Sequence, residues 1–263
     1  MQRFFLSNQQ FQIGQEADIS SLAHQLHTVL RLPIGREIML LDNSGQAFIT
    51  EITHLARKQA IGRILSVEPA TGEPDIQLTL YQCALKGDKF EWVLQKGTEL
   101  GVTHFVPVIS QRSIVRPAAA LLKKYDRWHT IIREAAEQSR RGRLPLLDAP
   151  LTWSAAMTTA QGPRFLPWEI SSGSYSLGQA LSKMDNSAPA VSLLIGPEGG
   201  VTETEAKIAS DAGWQLVSLG PRILRAETAA LASITIVMDR TIQHGFTAQT
   251  VNPHPLAEAP RTH

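Results

Sequence analysis

Two glycine-bearing runs hold the residue types and spacings best suited to chemistry. The first, Leu194-Ile195-Gly196-Pro197-Glu198-Gly199-Gly200-Val201-Thr202-Glu203-Thr204-Glu205, leads an apolar stretch into a loop and closes on Thr202 and Glu205, a capping box that starts a helix. About twenty residues later, Ser218-Leu219-Gly220-Pro221-Arg222-Ile223-Leu224-Arg225-Ala226-Glu227-Thr228-Ala229 again sets glycine at a strand exit and polar groups at a helix mouth. Glycine lets backbone N–H and C=O groups approach a ligand that a Cβ would hold away. In open parallel sheets, ligands collect where loops leave the carboxyl ends of strands, and two neighbouring exits can wall one pocket. Taken singly, each loop reads equally well as a tight turn, and Arg225 with Glu227 as a surface ion pair of little energetic worth. Neither run is G-x-G-x-x-G after a strand or G-x-x-x-x-G-K-[ST], which disfavours a dinucleotide fold and a P-loop. No metal site is expected: His24 and His27 stand at i, i+3 without an H-E-x-x-H motif or a cysteine pair.

The surrounding pattern supplies the elements that would hold these loops. From residue 1 to about 70 it is mostly β with one helix, in which Leu22, Leu26, Val29 and Leu30 share a face that Asp18 or Ser20 could cap. Glu37 to Leu41, Ala47 to Ile52 and Ala60 to Val67 read as strands, with a turn at Asp42-Asn43-Ser44-Gly45, and a small barrel is the economical assembly. The turn-rich run from Glu68 to Asp75 marks a domain boundary near residue 72. Beyond it, strands (Ile76 to Leu85, His104 to Ile109, Arg164 to Pro167, Val191 to Ile195, Leu216 to Leu219) alternate with helices (Asp88 to Leu100, Ala118 to Arg140, Leu177 to Met184, Thr202 to Ala212, Arg225 to Thr241). That order predicts an α/β domain over 73–245 with a mainly parallel sheet covered on both faces. Residues 246–263, with Pro253, Pro255 and Pro260 and no periodicity, are expected to form a disordered tail.

Composition narrows the class. The longest apolar stretches, Val191 to Ile195 and Ala229 to Met238, fall well short of the roughly 20 residues of a membrane span. With Cys83 as the single cysteine and no secretory pattern in MQRFFLSNQQ, a cytoplasmic protein without disulfides is expected. Net charge is only +1, but Lys123 to Arg143 hold seven cations against three acids, while residues 185–245 hold seven acids against four cations. A locally basic segment suits a polyanionic partner, and serves equally as a solvated helix face.

Read together, GPEGG followed by T-x-x-E, and then LG-x-RILR-x-ETA, resemble the paired cofactor loops of the RsmE-type ribosomal RNA uridine-N3 methyltransferases, a branch of the SPOUT superfamily. Further agreement lies in Arg3-Phe4-Phe5, His27-Thr28-Val29-Leu30-Arg31 with Gly35, Lys96-Gly97-Thr98-Glu99-Leu100-Gly101-Val102, Gln111-Arg112-Ser113, and Glu137-Gln138-Ser139 with Arg143 and Pro145. The resemblance implies a PUA-like RNA-binding barrel over 1–72, a C-terminal α/β domain tied in a trefoil knot, and a homodimer with cofactor pockets near the subunit contact. It places S-adenosylmethionine against Ile195, Gly196, Pro197, Glu198, Gly199 and Gly200, against Leu219, Gly220, Ile223, Leu224 and Arg225, and against a third loop after Pro167 in which Glu169 is a candidate.

On this reading the reaction is methylation of N3 of a uridine in small-subunit (16S) ribosomal RNA, in the assembled small ribosomal subunit. Arg225 would steady the developing uridine anion at O2 or O4, and Glu198 or Glu227 would accept the imide proton directly or through water. Both glutamates serve equally as helix-end caps or arginine partners. For RNA, Arg140, Arg141 and Arg143 suit phosphate contact and base stacking, Arg112 and Arg116 extend them, and Arg3 and Arg31 are first-domain candidates. Two alternatives stand beside this: a non-catalytic RNA-binding or ribosome-assembly factor that keeps the fold, and a methyltransferase acting on another RNA.

Overall fold

The computed structural model describes residues 1–6, 9–114, 118–169, 175–184 and 190–245, with side chains through residue 240. The expected tail, 246–263, lies outside the described residues. Two sheets organise the chain. The first contains β1 (Arg3–Phe5), β2 (Glu16–Asp18), β3 (Glu37–Leu41), β4 (Gln46–Leu55) and β5 (Ala60–Pro69), in the order β1-β3-β4-β5-β2. All pairs are antiparallel except β1 with β3, which runs parallel through Arg3 to Met39 and Phe5 to Leu41. Alternation explains its two apolar faces: Phe4, Ile38, Leu40, Phe48, Ile52 and Ile64 pack inward with Ile19 and Leu26, while Phe5, Met39, Leu41 and Ala47 pack with Ala136. Pairing gives a five-stranded mixed sheet for the small β-rich unit that the sequence predicts, with β1 and β2 each paired to one neighbour among the described residues.

The helix expected through Leu22, Leu26, Val29 and Leu30 differs. A 3-10 turn (Ser20–Leu22) leads into a π-helical segment (Gln25–Val29), closed by the Leu30 N–H donating to Gln25 O at 2.9 Å. The widened turn breaks the i, i+4, i+7 stripe: Leu26 is buried, but Val29 is 63% exposed. Asp18 does receive the Ser20 N–H, at 2.9 Å.

The second sheet is parallel throughout. It is built from β6 (Gln77–Cys83), β7 (His104–Ile109), β8 (Leu146–Leu147), β9 (Leu151–Thr152), β10 (Arg164–Pro167), β11 (Ala190–Ile195) and β12 (Gln215–Val217). Its order is β12-β10-β11-β6-β7-β8, with β9 also on β7. The central strands β6 and β11 are largely buried on both faces, as helices on both sides require, and β11 is apolar apart from Ser192. One face carries α1 (Lys89–Glu99), α3 (Tyr125–Gln138), α5 (Leu177–Ser182) and α7 (Ala226–Gly245); the other carries α4 (Trp153–Thr159) and α6 (Glu203–Asp211). In α1, Phe90, Val93, Leu94, Gly97 and Thr98 share the buried face at helical spacing.

The single helix expected over Ala118 to Arg140 is two, α2 (Ala118–Leu122) and α3. At the break the Lys124 N–H donates to Leu121 O, an i to i−3 bond in place of the α-helical ladder, and Leu122 is left 49% exposed. No described helix is long and apolar enough to cross a membrane.

The two sheets are joined by a polar clamp. Glu73, just past Gly72, accepts the backbone N–H groups of Gly142 and Arg143, both at 2.9 Å, and pairs with the Arg141 guanidinium at 3.1 Å. Arg141 is 2% exposed and also donates to the carbonyls of Thr98 and Val102 at the end of α1. Gly72 permits the approach, since a Cβ there would lie 2.6 Å from Arg140 O. From the other side, Glu137 accepts the Phe5 N–H at 2.9 Å and Asn43 accepts that of Leu144 at 2.6 Å. Burial pushes the Glu137 carboxyl above its ordinary range, with the Phe5 N–H and Arg133 opposing.

The clamp generates a stability prediction. Removing one partner of a buried ion pair strands the other charge, so Glu73→Ala lowers unfolding stability in urea by about 3 kcal/mol. Arg143→Ala, whose side chain is exposed, changes it by no more than about 0.5 kcal/mol. Equal midpoints for the two variants contradict the clamp.

Candidate functional site

Parallel pairing sends every strand of the second sheet out at one edge, and five exits meet there. After β11, residues 196–201 turn through a bond from Gly200 N–H to Pro197 O at 2.9 Å and enter α6 by the capping box. After β12, residues 218–225 lead into α7, with Ser218 bridged to Ser176 and its hydroxyl accepting the Gly220 N–H at 3.1 Å. After β10, which lies between β11 and β12, come Trp168 and Glu169. Trp168 links these walls: its N–H donates to Val217 O at 3.0 Å, and its indole N–H to Val201 O at 3.2 Å.

The exits of β6 and β7 supply the remaining supports. Arg112, after β7, donates to Gly199 O at 2.9 Å, and the neighbouring Gln111 N–H donates to Glu205 at 2.7 Å, fixing the start of α6. Lys86 and Lys89, after β6, both reach Glu198: the Lys86 N–H at 3.0 Å and the Lys89 ammonium at 3.3 Å.

Between the walls lies a cleft of about 440 Å³. All of Ile195, Gly196, Pro197, Glu198, Gly199, Gly200, Leu219, Gly220, Ile223, Leu224, Arg225 and Glu169 line it, joined by Trp168 and Lys89. Two of its glycines leave no slack for side chains: a Cβ on Gly196 would stand 2.7 Å from the Val201 side chain, and one on Gly199 3.0 Å from the Arg112 side chain. Gly200, at φ 73°, also needs the left-handed conformation.

The three candidate catalytic residues divide. Arg225 is exposed on the cleft lining. Glu198 lines it too, but as a held carboxylate: partial burial pushes its pKa up, and the Lys86 N–H, its own N–H and the Lys89 ammonium outweigh that and leave it below the ordinary value. Glu227 stands outside the lining, its Oε2 buried and 3.9 Å from Lys89 Nζ. Lys89 and Trp168 were not singled out from the sequence. An unusual cation in the first turn of a helix was the available signal for Lys89; nothing local marks Trp168.

The arginines expected to meet RNA also separate. Arg141 is a correction: buried and paired with Glu73, its guanidinium has no surface to offer a phosphate. Arg112 is committed to Gly199 O, and Arg116 lies outside the described residues. Arg3 and Arg140 come together at the seam between the sheets, Arg3 donating to Arg140 O at 3.3 Å, and Arg143 is exposed there against Gly45. Burial and then the like charge of Arg140 lower the Arg3 pKa, with Glu68 opposing. Arg31 is exposed, at φ 50°, after the π-helical segment.

Comparison with known proteins bears on this arrangement. Residues 72–238 match the family model of the RNA methyltransferase domain. Ribosomal RNA small subunit methyltransferase E of Synechocystis is 38% identical over 221 residues, covering 82% of this chain and 71% of the relative. The protein of the same name in Bacillus subtilis is 31% identical over 92% of this chain and 97% of its own length. The crystal structure of ribosomal RNA small subunit methyltransferase E from Neisseria gonorrhoeae, bound to S-adenosyl methionine, aligns with a TM-score of 0.81 at 34% identity, over 91% of this chain and 97% of that one.

The electrostatics of the first loop can be read directly. A carboxyl whose folded value is depressed contributes folding stability above its ordinary pKa, and loses it as pH falls through the lowered value. Titration of the Glu198 carboxyl carbon by NMR gives a midpoint below the ordinary glutamate value of about 4.3, and Lys89→Met moves it upward. A midpoint at or above the ordinary value in the unaltered protein contradicts the Lys86 and Lys89 contacts.

Proposed function

The chain belongs to the ribosomal RNA small subunit methyltransferase E family, and we propose that it transfers the methyl group of S-adenosylmethionine to N3 of one uridine in small-subunit ribosomal RNA, within the assembled subunit. The observation that carries this reading is the convergence of the β10, β11 and β12 exits on one cleft lined by both glycine-bearing loops. At about 440 Å³ the cleft is of the size that small-molecule sites occupy. The loop from Gly196 to Gly200, the loop from Leu219 to Leu224, and Glu169 would hold the cofactor. When bound, S-adenosylmethionine supplies an electrophilic methyl group.

The chain's own residues position and steady the acceptor. Uridine N3 keeps its imide proton near neutrality, and a cation beside O2 or O4 favours the anion that attacks. Arg225 takes that role, exposed on the lining. Glu198 is a poor proton acceptor because its contacts hold it ionised, and Glu227 is set back from the lining. Both are therefore read as partners of Lys89, and the imide proton is lost to solvent. N3 lies on the base-pairing edge, so the uridine enters unpaired or extruded.

For the RNA, Arg3, Arg140 and Arg143 at the seam form the primary phosphate contact, with Arg31 on the first domain as an outlying one. Two like charges drawn together, as Arg3 and Arg140 are, gain from an anion placed between them. The first sheet then acts as a PUA-like RNA-positioning domain over 1–72, joined to a knotted methyltransferase domain over 73–245. A homodimer with its contact beside the cleft completes the reading, and the 84% exposure of Ile223 at the cleft supports such a contact.

Two measurements test it. By calorimetry the protein binds S-adenosylmethionine, and Gly199→Val, which drives a branched side chain against Arg112, abolishes binding while circular dichroism stays unchanged; unaltered affinity sinks the pocket assignment. Arg140→Ala with Arg143→Ala weakens binding to small-subunit RNA and lowers its salt slope by about two. A slope unchanged in that double variant removes the seam as the RNA contact.

A further inference from the structure

Lys89 opens α1, and its position is electrostatically unexpected. A helix start carries the positive end of the macrodipole, the least favourable place for an ammonium. Asp88, at the N-cap, makes no side-chain cap bond, and among the described residues the ion pairs of Lys89 are with Glu198 and Glu227, both outside α1.

Its contacts do account for it. Lys89 Nζ lies 3.3 Å from Glu198 Oε1 and 3.9 Å from Glu227 Oε2. Glu198 belongs to the loop after β11, and Glu227 to the first turn of α7, directly after the loop that follows β12. One ammonium from a third strand exit therefore spans both walls of the cleft. Glu227 Oε2 is buried and has no hydrogen-bond partner among the described residues. A carboxylate oxygen shut away from water without a donor requires a counter-charge, and Lys89 is the cation within ion-pair range. The Lys86 N–H fixes the other carboxylate at 3.0 Å, so Glu198 is held from two points of the same segment. Behind Lys89, α1 packs on α3 and α7, and its far end is held by Arg141 of the clamp. The ammonium therefore projects from a rigid support.

We propose that Lys89 is a positioning residue that ties the Gly196–Gly200 loop to the N-terminal turn of α7, setting the separation of the two walls that seat the methyl donor. The inference rests on reading the cleft as an S-adenosylmethionine site. The charged groups facing Glu198 are Lys89 on α1 and the Lys86 backbone; those facing Lys89 are Glu198 and Glu227.

Calorimetric titration with S-adenosylmethionine between neutral and acid pH tests the tie in the full chain, in Lys89→Met and in Lys89→Arg. At neutral pH Lys89→Met binds about tenfold more weakly and Lys89→Arg stays within about threefold of the unaltered protein, as a partly buried charge contact predicts. As pH falls through the lowered titration range of Glu198 the tie breaks, so the unaltered protein loses affinity and converges on Lys89→Met. A purely packing role for the lysine stem would give no such convergence. Binding by Lys89→Met that equals the unaltered protein at every pH overturns the proposal, as does equal loss in Lys89→Arg and Lys89→Met. Failure of the unaltered protein to bind would overturn the cofactor reading and this inference together, whereas normal binding indifferent to Lys89 would overturn the inference alone.

Discussion

Parallel pairing is the constraint on which the rest of the molecule depends. Because β6, β7, β10, β11 and β12 all run in one direction, their carboxyl ends share an edge, and residues far apart in sequence meet there without long loops. Arg112 and Gly199 are separated by 87 positions, and Lys86 and Glu198 by 112. Each exit supplies a different kind of group: backbone from the glycine loops, an indole from Trp168, guanidinium and ammonium from Arg112 and Lys89. An antiparallel arrangement would divide these exits between two edges and leave no common cleft.

The clamp between the sheets obeys a second requirement. Arg141 is a charge taken out of water, tolerable because Glu73 and the carbonyls of Thr98 and Val102 accept four hydrogen bonds from it. It also links distant features: α1 begins at the cleft with Lys89 and ends against Arg141, while α3 carries in its last turn Glu137, which bonds the first strand of the chain. The first sheet therefore stands in a fixed relation to the cleft. The seam that carries Arg3 and Arg140 is thereby tied to the cleft through α1 and α3.

Much of this was legible in the residues, for identifiable reasons. His104–Ile109 and Arg164–Pro167 are bounded as the apolar pattern predicts, since buried parallel strands must be apolar runs between turn formers. Thr202 and Glu205 form the capping box their spacing predicts, because such a cap is a local interaction. What sequence concealed was long-range. Arg140, Arg141 and Arg143 look alike in a charge count, yet Glu73, some seventy positions away, buries one of them and leaves two exposed. The i, i+4, i+7 stripe through Leu22, Leu26 and Val29 assumed 3.6 residues per turn, and the π-helical hydrogen bond altered that period. A cation in the first turn of a helix marks Lys89 as unusual, but its partners are two glutamates more than a hundred positions downstream.

The central claim is that this shared edge seats a methyl donor beside an RNA base. Its most direct test is to incubate the purified protein with methyl-labelled S-adenosylmethionine and small ribosomal subunits from cells lacking it, then digest the RNA and analyse its nucleosides by mass spectrometry. The account predicts label in a single N3-methyluridine. Label in another nucleoside, or none while the cofactor binds, would contradict it.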